Sequence, residues 1–128
     1  MSYKTERVNM KTHKDLNIWK KGIELVKKIY GTTKAFPKEE IYGLTSQIRR
    51  AAVSFPSNIA EGAARASKKE FIQYLYISLS TLSELETQII ISGELNYPVP
   101  KTMLDEIETL RKMTLNLIKY LKAQLSNK

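Results

Sequence analysis

Residues 44–89 constrain the fold more than any other part of the chain, because they place helix-breaking residues inside a helical pattern. Apolar residues recur there every three or four positions, on both sides of Pro56 and Gly62. Residues 54–62 read Ser-Phe-Pro-Ser-Asn-Ile-Ala-Glu-Gly. A helix that only fills a core avoids proline, glycine and polar side chains that need partners. We therefore expect this segment to have a specific role in helix packing.

Four amphipathic segments and no strand-like alternation predict an all-α protein. The predicted helices cover residues 14 to about 35, 42–65, 67–93 and 101–126. Ser67 and Glu70 have the spacing of a capping box at the start of the third helix. Helices of this length with short connections are typical of an up-down-up-down antiparallel four-helix bundle. We expect a flexible N-terminal tail at residues 1–12 and the bundle domain at residues 13–128.

Apolar spacing also predicts which helix faces are buried. In the first helix, alternating steps of three and four residues predict that the core is contacted by Leu16, Trp19, Ile23, Val26 and Tyr30, with Ile18, Leu25 and Ile29 widening the face. The third helix is apolar on nearly every side, through Phe71, Ile72, Leu75, Tyr76, Ile77 and Leu79. Because one bundle leaves one side of each helix open, this pattern predicts assembly into a homo-oligomer.

Composition narrows the possible functions. The chain has no cysteine and one histidine, so we expect no disulfide, no metal site and no cofactor. The longest apolar runs span a few residues, such as residues 89–91, against the roughly 20 that cross a bilayer, so we expect no membrane association. The N-terminus lacks the apolar core of a secretory signal, and the absence of cysteine suits a reducing compartment. We expect a cytoplasmic protein.

A net charge of +8 and a pI near 9.6 favour a polyanionic partner. Two lysine rows at heptad spacing form a strip along the first helix, about 30 Å long at 1.5 Å per residue. Four further cations are expected at the corner between the second and third helices. The candidate nucleic-acid-binding residues are therefore Lys14, Lys20, Lys21, Lys27, Lys28, Lys34, Arg49, Arg65, Lys68 and Lys69. Such a strip fits salt-sensitive binding to backbone phosphates, and it equally fits a plain solvated face.

A polar stripe follows the second helix, and a second stripe follows the third. The predicted members are Gln47, Arg50, Ser54, Asn58 and Glu61, with Glu84 and Gln88 opposite them. We expect a buried network across the bundle, for example a pair between Arg50 and Glu84. The alternative is an acid–base site around Glu61. That site lacks a histidine, a cysteine or a second carboxylate at useful spacing on the same helix, so we expect no enzyme and no catalytic residue.

Several segments resemble the bacterial 23S ribosomal RNA intervening-sequence family. The resemblance rests on LTSQIRRAAVS at residues 44–54, PSNIAEG at 56–62 and SELETQ at 83–88, supported by DLNIW at 15–19 and EIYGL at 40–44. It covers about residues 13–125. It implies a four-helix bundle that assembles into a homopentamer. The chain is more distantly similar to the accessory variability protein of diversity-generating retroelements, a basic pentamer that associates with nucleic acid and a reverse transcriptase.

Charge and resemblance together predict a non-enzymatic oligomeric scaffold that binds RNA or DNA through backbone phosphates. Asn58, Glu61, Gly62, Arg50 and Glu84 would hold the second helix against the third. The alternative is a protein-interaction scaffold whose partner is a protein such as a polymerase, without direct nucleic-acid binding.

Overall fold

A computed structural model describes residues 12–126 of the chain. Within this range the protein consists of four α-helices and no strand, so the predicted all-α class is confirmed. The helices are α1 (Asn17–Thr33), α2 (Leu44–Ala63), α3 (Lys68–Glu94) and α4 (Met103–Ser126). Short 3₁₀ turns at His13–Asp15 and Lys38–Glu40 precede α1 and α2. Each boundary lies within about three residues of the one predicted from periodicity, as end fraying allows.

The predicted N-terminal tail, residues 1–12, lies outside the described residues except for Thr12. Thr12 caps the first 3₁₀ turn, because its hydroxyl accepts a hydrogen bond from the Lys14 backbone N–H at 3.1 Å. Residues 127 and 128 of the predicted bundle domain also lie outside the described range.

Local capping explains where α2 and α3 begin. Ser67 caps α3, since its hydroxyl accepts from the Glu70 N–H at 3.1 Å. The predicted capping box is only half formed, because the Glu70 carboxylate accepts from the Ser67 hydroxyl at 3.4 Å and not from the Ser67 backbone N–H. At the start of α2, the Leu44 N–H donates to Glu40 Oε1 at 3.1 Å. Tyr97, in the α3–α4 connection, donates its hydroxyl to Glu40 Oε2 at 2.8 Å. The Glu40 carboxylate therefore connects the start of α2 to the α3–α4 loop through two hydrogen bonds.

Each helix packs against two others: α1 on α2, α2 on α3, α3 on α4 and α4 on α1, with the α2–α3 contact the most extensive. A continuous core of buried aliphatic and aromatic side chains lies between them. Its largest members include Phe55, Phe71, Leu25, Ile59 and Leu85, all shielded almost completely from solvent. The four helices therefore share one core.

The predicted inward face of α1 is partly wrong. The buried residues of α1 are Ile18, Gly22, Leu25, Ile29 and Thr33. Trp19 and Val26 are only partly buried, and Tyr30 is exposed. The reason is Gly22: a Cβ built there would lie 2.9 Å from Phe55 Cδ2, so the missing side chain lets α2 approach along this line.

Gly62 has the packing role that was predicted for it. A Cβ at Gly62 would lie 2.5 Å from Tyr74 Cβ and 3.0 Å from Phe71 Cδ1, both on α3. Side-chain atoms in real structures do not approach this closely, so only glycine permits the observed α2–α3 distance. The unusual glycine near the end of α2 is thus explained by helix packing.

None of the helices in the described part of the chain has a stretch both long and apolar enough to cross a bilayer.

Candidate nucleic-acid interface

The predicted lysine strip is exposed along its whole length. Lys14 lies on the 3₁₀ turn before α1, and Lys34 is the C-cap residue of α1. Lys20, Lys21, Lys27 and Lys28 lie on α1 between them, and all six side chains are exposed. Lys21 and Lys28 border a cleft between α1 and α4. Because residues on a helix turn by about 100° each, Lys20 and Lys27 point further away from α4.

Two of the six lysines have acidic partners. Lys28 Nζ donates to Glu106 Oε1 on α4 at 2.8 Å, and Lys27 Nζ lies 3.8 Å from Glu24 Oε2 on α1 itself. Lys14, Lys20, Lys21 and Lys34 form no ion pair within residues 12–126. Exposed pairs of this kind contribute about 0–1 kcal/mol, so the two carboxylates hold their lysines only weakly.

The basic cluster predicted at the α2–α3 corner contains Arg65, Lys68 and Lys69 but not Arg49. Arg65 donates to Glu61 Oε2 at 3.3 Å and to the Tyr74 hydroxyl at 2.6 Å, with its guanidinium 4.9 Å from the centre of the Tyr74 ring. Lys69 is exposed and Lys68 is half-buried. The Arg65 charge is therefore already engaged within the chain.

Arg49 lies near the opposite end of α2, so its predicted place at the corner is wrong. Sixteen residues separate Arg49 from Arg65, which is about 24 Å along a helix. Arg49 Nε donates to Thr33 Oγ1 at 2.9 Å, and its guanidinium lies 4.6 Å from the centre of the Tyr30 ring. These contacts join the start of α2 to the end of α1.

A cleft of about 510 Å³ opens beside Arg49, and we call it the arginine cleft. It is lined by Tyr30, Ile41, Thr45, Ser46, Arg49, Arg50, Val53 and Ser54. No acidic residue lines it, and Arg50 forms no hydrogen bond or ion pair with any part of the chain that the structure describes. Sequence reasoning had placed Arg50 in a structural network and did not predict this site.

The buried polar network predicted across the bundle is wrong. Within the single chain the side chains of Gln47, Arg50, Glu61 and Glu84 are exposed. No ion pair forms between Arg50 and Glu84. These four members of the predicted stripes therefore lie on the solvent side of the α2–α3 pair.

The remaining members of the stripes bond within their own helices. Asn58 Nδ2 donates to the Ser54 backbone carbonyl at 2.9 Å, and both residues are half-buried. Gln88 is buried, and its Nε2 donates to Glu84 Oε2 at 3.3 Å. The polar contact that does link α2 to α3 was not predicted: the buried Ser78 hydroxyl donates to the Phe55 carbonyl at 3.2 Å. A serine among the polar residues of an amphipathic helix gives no sequence signal for this role.

Two side chains with shifted pKa values, Glu40 and Tyr97, lie outside the lysine strip and the arginine cleft. The hydrogen bond from Tyr97 is the main cause that lowers the pKa of Glu40, and the Leu44 N–H lowers it further. The same bond with Glu40 raises the pKa of Tyr97, with desolvation adding to the effect. This pair caps α2. Among residues 12–126, no group of three or more acidic, histidine or cysteine side chains could hold a metal ion.

Fold and surface together define an all-α, four-helix protein with exposed lysines along α1 and, near the start of α2, two arginines that have no carboxylate partner among the described residues. The chain belongs to the 23S rRNA-intervening sequence protein family, whose model matches residues 14–120.

A solved structure supports the fold. It is a protein of unknown function from the S23 ribosomal protein family of Bacteroides thetaiotaomicron, with a TM-score of 0.72 and 21% identity. The match covers 80% of this chain and 95% of the other. At this identity the likeness concerns the fold alone. No curated protein matches the chain.

Proposed function

We propose that this protein is a non-enzymatic, basic scaffold of the bacterial cytoplasm that binds RNA or DNA through backbone phosphates. In this proposal the chain is an up-down-up-down antiparallel bundle and assembles into a homopentamer. The membership of a family named for a 23S rRNA intervening sequence supports a role related to RNA.

Contacts between neighbouring helices support the antiparallel arrangement. Between α2 and α3, Gly62 lies close to Tyr74, and the Phe55 carbonyl accepts a hydrogen bond from Ser78. Residue numbers therefore rise along α2 in the direction in which they fall along α3. Between α3 and α4, Arg111 Nη2 donates to Glu86 at 2.9 Å and Lys122 Nζ to the Tyr76 hydroxyl at 2.6 Å. The same reversal holds for both pairs.

The outward face of α3 supports self-association. Tyr76, Ile77, Ile90 and Ile91 are large hydrophobic residues that stay exposed in the single chain. Tyr76 and Ile90 are 14 residues apart, as are Ile77 and Ile91, and this distance of about four turns places them on one side of the helix. Covering such a strip removes apolar surface from water, which stabilises association.

Light scattering tests the assembly. The proposal predicts a mass near five times the chain mass of 14.7 kDa. Ile77→Asp with Ile91→Asp should lower that mass, because charges are then buried at the contact. Leu115→Asp, an equally exposed apolar residue on α4, is the matched control and should leave the mass unchanged.

The observation that carries nucleic-acid binding is the alignment of six exposed lysines along α1 and its two ends, four of which have no acidic partner among the described residues: Lys14, Lys20, Lys21 and Lys34. An ammonium group that is not held by a carboxylate can approach a phosphate without first breaking an ion pair. Phosphate contacts of this kind release counterions and need no base recognition, so the partner is recognised by its charge density.

A charge-matched comparison tests the lysine strip. The variant Lys20→Gln/Lys21→Gln/Lys34→Gln removes three strip charges, while Lys101→Gln/Lys112→Gln/Lys119→Gln removes three exposed charges outside it. Both variants have the same net charge. The strip variant should bind labelled RNA and DNA at least about tenfold more weakly, or about 1.4 kcal/mol over three contacts. Fluorescence anisotropy at fixed salt measures the difference, and equal affinities for the two variants would contradict the proposal.

A further inference from the structure

The arginines of the arginine cleft differ from the other arginines of the described chain because they have no carboxylate partners. Residues 12–126 contain four arginines. Arg65 pairs with Glu61, and Arg111 pairs with both Glu86 and Glu108. Arg49 and Arg50 form no salt bridge with any described residue, and both line the same cleft. Two arginines without carboxylate partners thus line one cleft on the surface.

The Arg49 guanidinium is held in position before any ligand arrives. Its Nε donates to Thr33 Oγ1, and the Thr33 hydroxyl in turn donates to the Ile29 carbonyl at 2.8 Å. The Tyr30 ring supports the guanidinium plane at 4.6 Å. The two Nη groups keep their donors free of any described partner. A fixed guanidinium loses little conformational entropy on binding, so its remaining donors form an efficient fork for an oxyanion.

Hydroxyl groups extend the set of donors. Ser46 and Ser54 are half-buried in the lining of the cleft, and neither side chain forms a hydrogen bond within the described residues. Guanidinium forks with nearby hydroxyls match the oxygens of a phosphate group, and arginine binds such groups through paired hydrogen bonds. The cleft is open to solvent, and its volume of about 510 Å³ leaves room for a phosphate group.

We propose that the arginine cleft binds one phosphate group of a nucleotide, with Arg49 and Arg50 as the charged donors and Ser46 and Ser54 as neutral ones. This proposal rests on the proposed function and gives that surface one fixed phosphate position beside the flexible lysines of α1. A phosphodiester within a strand and the phosphate of a free nucleotide share this chemistry.

Binding to two probes tests the cleft and distinguishes a strand phosphodiester from the phosphate of a free nucleotide as its ligand. The variants are Arg50→Gln, Arg49→Lys and Arg49→Gln/Arg50→Gln, and the probes are a labelled ten-nucleotide single-stranded RNA and AMP. The double variant should bind at least about tenfold more weakly than the wild type, as expected for losing a bidentate contact. Loss for both probes indicates a site that accepts free nucleotides, and loss for RNA alone indicates a site for backbone phosphate. Arg49→Lys keeps the charge but not the fork, so it should fall between the wild type and the double variant.

The matched control is Lys112→Gln/Lys119→Gln, which removes the same charge from exposed positions on α4. Arg50→Gln guards against loss of folding, because its side chain has no hydrogen bond or ion pair within the described residues to lose. Equal RNA binding by the double variant and this control would overturn the cleft proposal. A changed oligomer mass with unchanged binding would also overturn it, since the cleft would then be a subunit contact.

The two proposals fail separately. Loss of binding in the arginine variants with none in the lysine strip variant would reject the strip and keep the cleft. The reverse pattern would reject the cleft and keep the strip.

Discussion

Arginines lie near both ends of α2 but make different contacts there. At the C-terminal end, Gly62 brings α2 against α3, and Arg65 is bound to Glu61 and Tyr74. At the N-terminal end, Arg49 is positioned by Tyr30 and Thr33, while Arg50 has no partner within the described residues. One end uses its cation to stabilise the chain, and the other leaves its cations available to a ligand. The presence of an arginine alone does not distinguish these two situations.

Gly62→Ala should be the most damaging change at the packed end. The new Cβ would lie 2.5 Å from Tyr74 Cβ, so α2 and α3 must separate. Overpacking of this kind costs about 1–3 kcal/mol. Denaturant unfolding measures the loss. Gly31→Ala is the control, because nothing lies within 4 Å of its Cβ position, and it should stabilise the protein by about 0.5–1 kcal/mol. Similar losses in both variants would show that helix packing does not require glycine at residue 62.

Ser78→Ala should have the next largest effect on the α2–α3 contact. It removes the Ser78 hydroxyl and with it the buried hydrogen bond to the Phe55 carbonyl. Losing such a bond costs about 0.5–1.5 kcal/mol. Thr87→Ala on the same helix removes an exposed hydroxyl that bonds only the Ser83 carbonyl, and it should change the free energy of unfolding less. If the two variants are equally stable, the cross-helix bond contributes nothing.

Tyr97→Phe should weaken the N-terminal end of α2 in a pH-dependent way. The pKa of Glu40 is lowered in the folded protein, so this interaction adds stability above the ordinary carboxyl pKa and loses it as pH falls through the lowered value. The pKa of Tyr97 is raised in the folded protein, so the stability that the neutral Tyr97 hydroxyl contributes is lost only as pH rises through that raised value. Tyr97→Phe should therefore lower the melting temperature slightly at neutral pH and much less in acid.

Titration of Glu40 by NMR gives a direct check on that pair. In Tyr97→Phe the pKa of Glu40 should rise toward its ordinary value, because the first cause of its depression is gone. Tyr42→Phe, at a fully exposed tyrosine in the same loop, is the control. A Glu40 pKa that does not move would mean that the hydrogen bond is absent in solution.

The smallest stability effects separate the two arginines. Arg65→Gln should cost up to about 1 kcal/mol, since exposed ion pairs contribute little. Arg50→Gln should leave the free energy of unfolding within about 0.5 kcal/mol of wild type, as at most surface sites. RNA affinity should show the opposite order, because Arg50→Gln should bind RNA more weakly than Arg65→Gln does. If Arg65→Gln lowered both stability and RNA affinity more than Arg50→Gln did, the proposed difference between the two ends of α2 would be wrong.

The sequence predicted the helices well because their signals are local. Apolar spacing, the cap at Ser67 and the glycine at residue 62 each act within a few turns of chain. The wrong face of α1 has a different origin: two apolar stripes overlap on that helix, and only the contact between Gly22 and Phe55 decides between them. That contact joins residues 33 positions apart, which periodicity cannot relate.

The candidate site was predicted only in part for the same reason. The lysines of α1 share a face by spacing, and they are exposed as expected. The arginine cleft brings Tyr30 of α1 beside Arg49 and Arg50 of α2, and a single sequence does not contain the relative register of the two helices. Spacing also did not reveal that Gln47, Arg50, Glu61 and Glu84 of the polar stripes face solvent.

The salt dependence of binding tests the central claim most directly. If lysines of α1 contact phosphates, Lys20→Gln/Lys21→Gln/Lys34→Gln should flatten the slope of log K against log salt on duplex DNA by about 2–3 units. The Lys101→Gln/Lys112→Gln/Lys119→Gln control should keep the wild-type slope. Equal slopes for the wild type and the α1 variant would contradict the account.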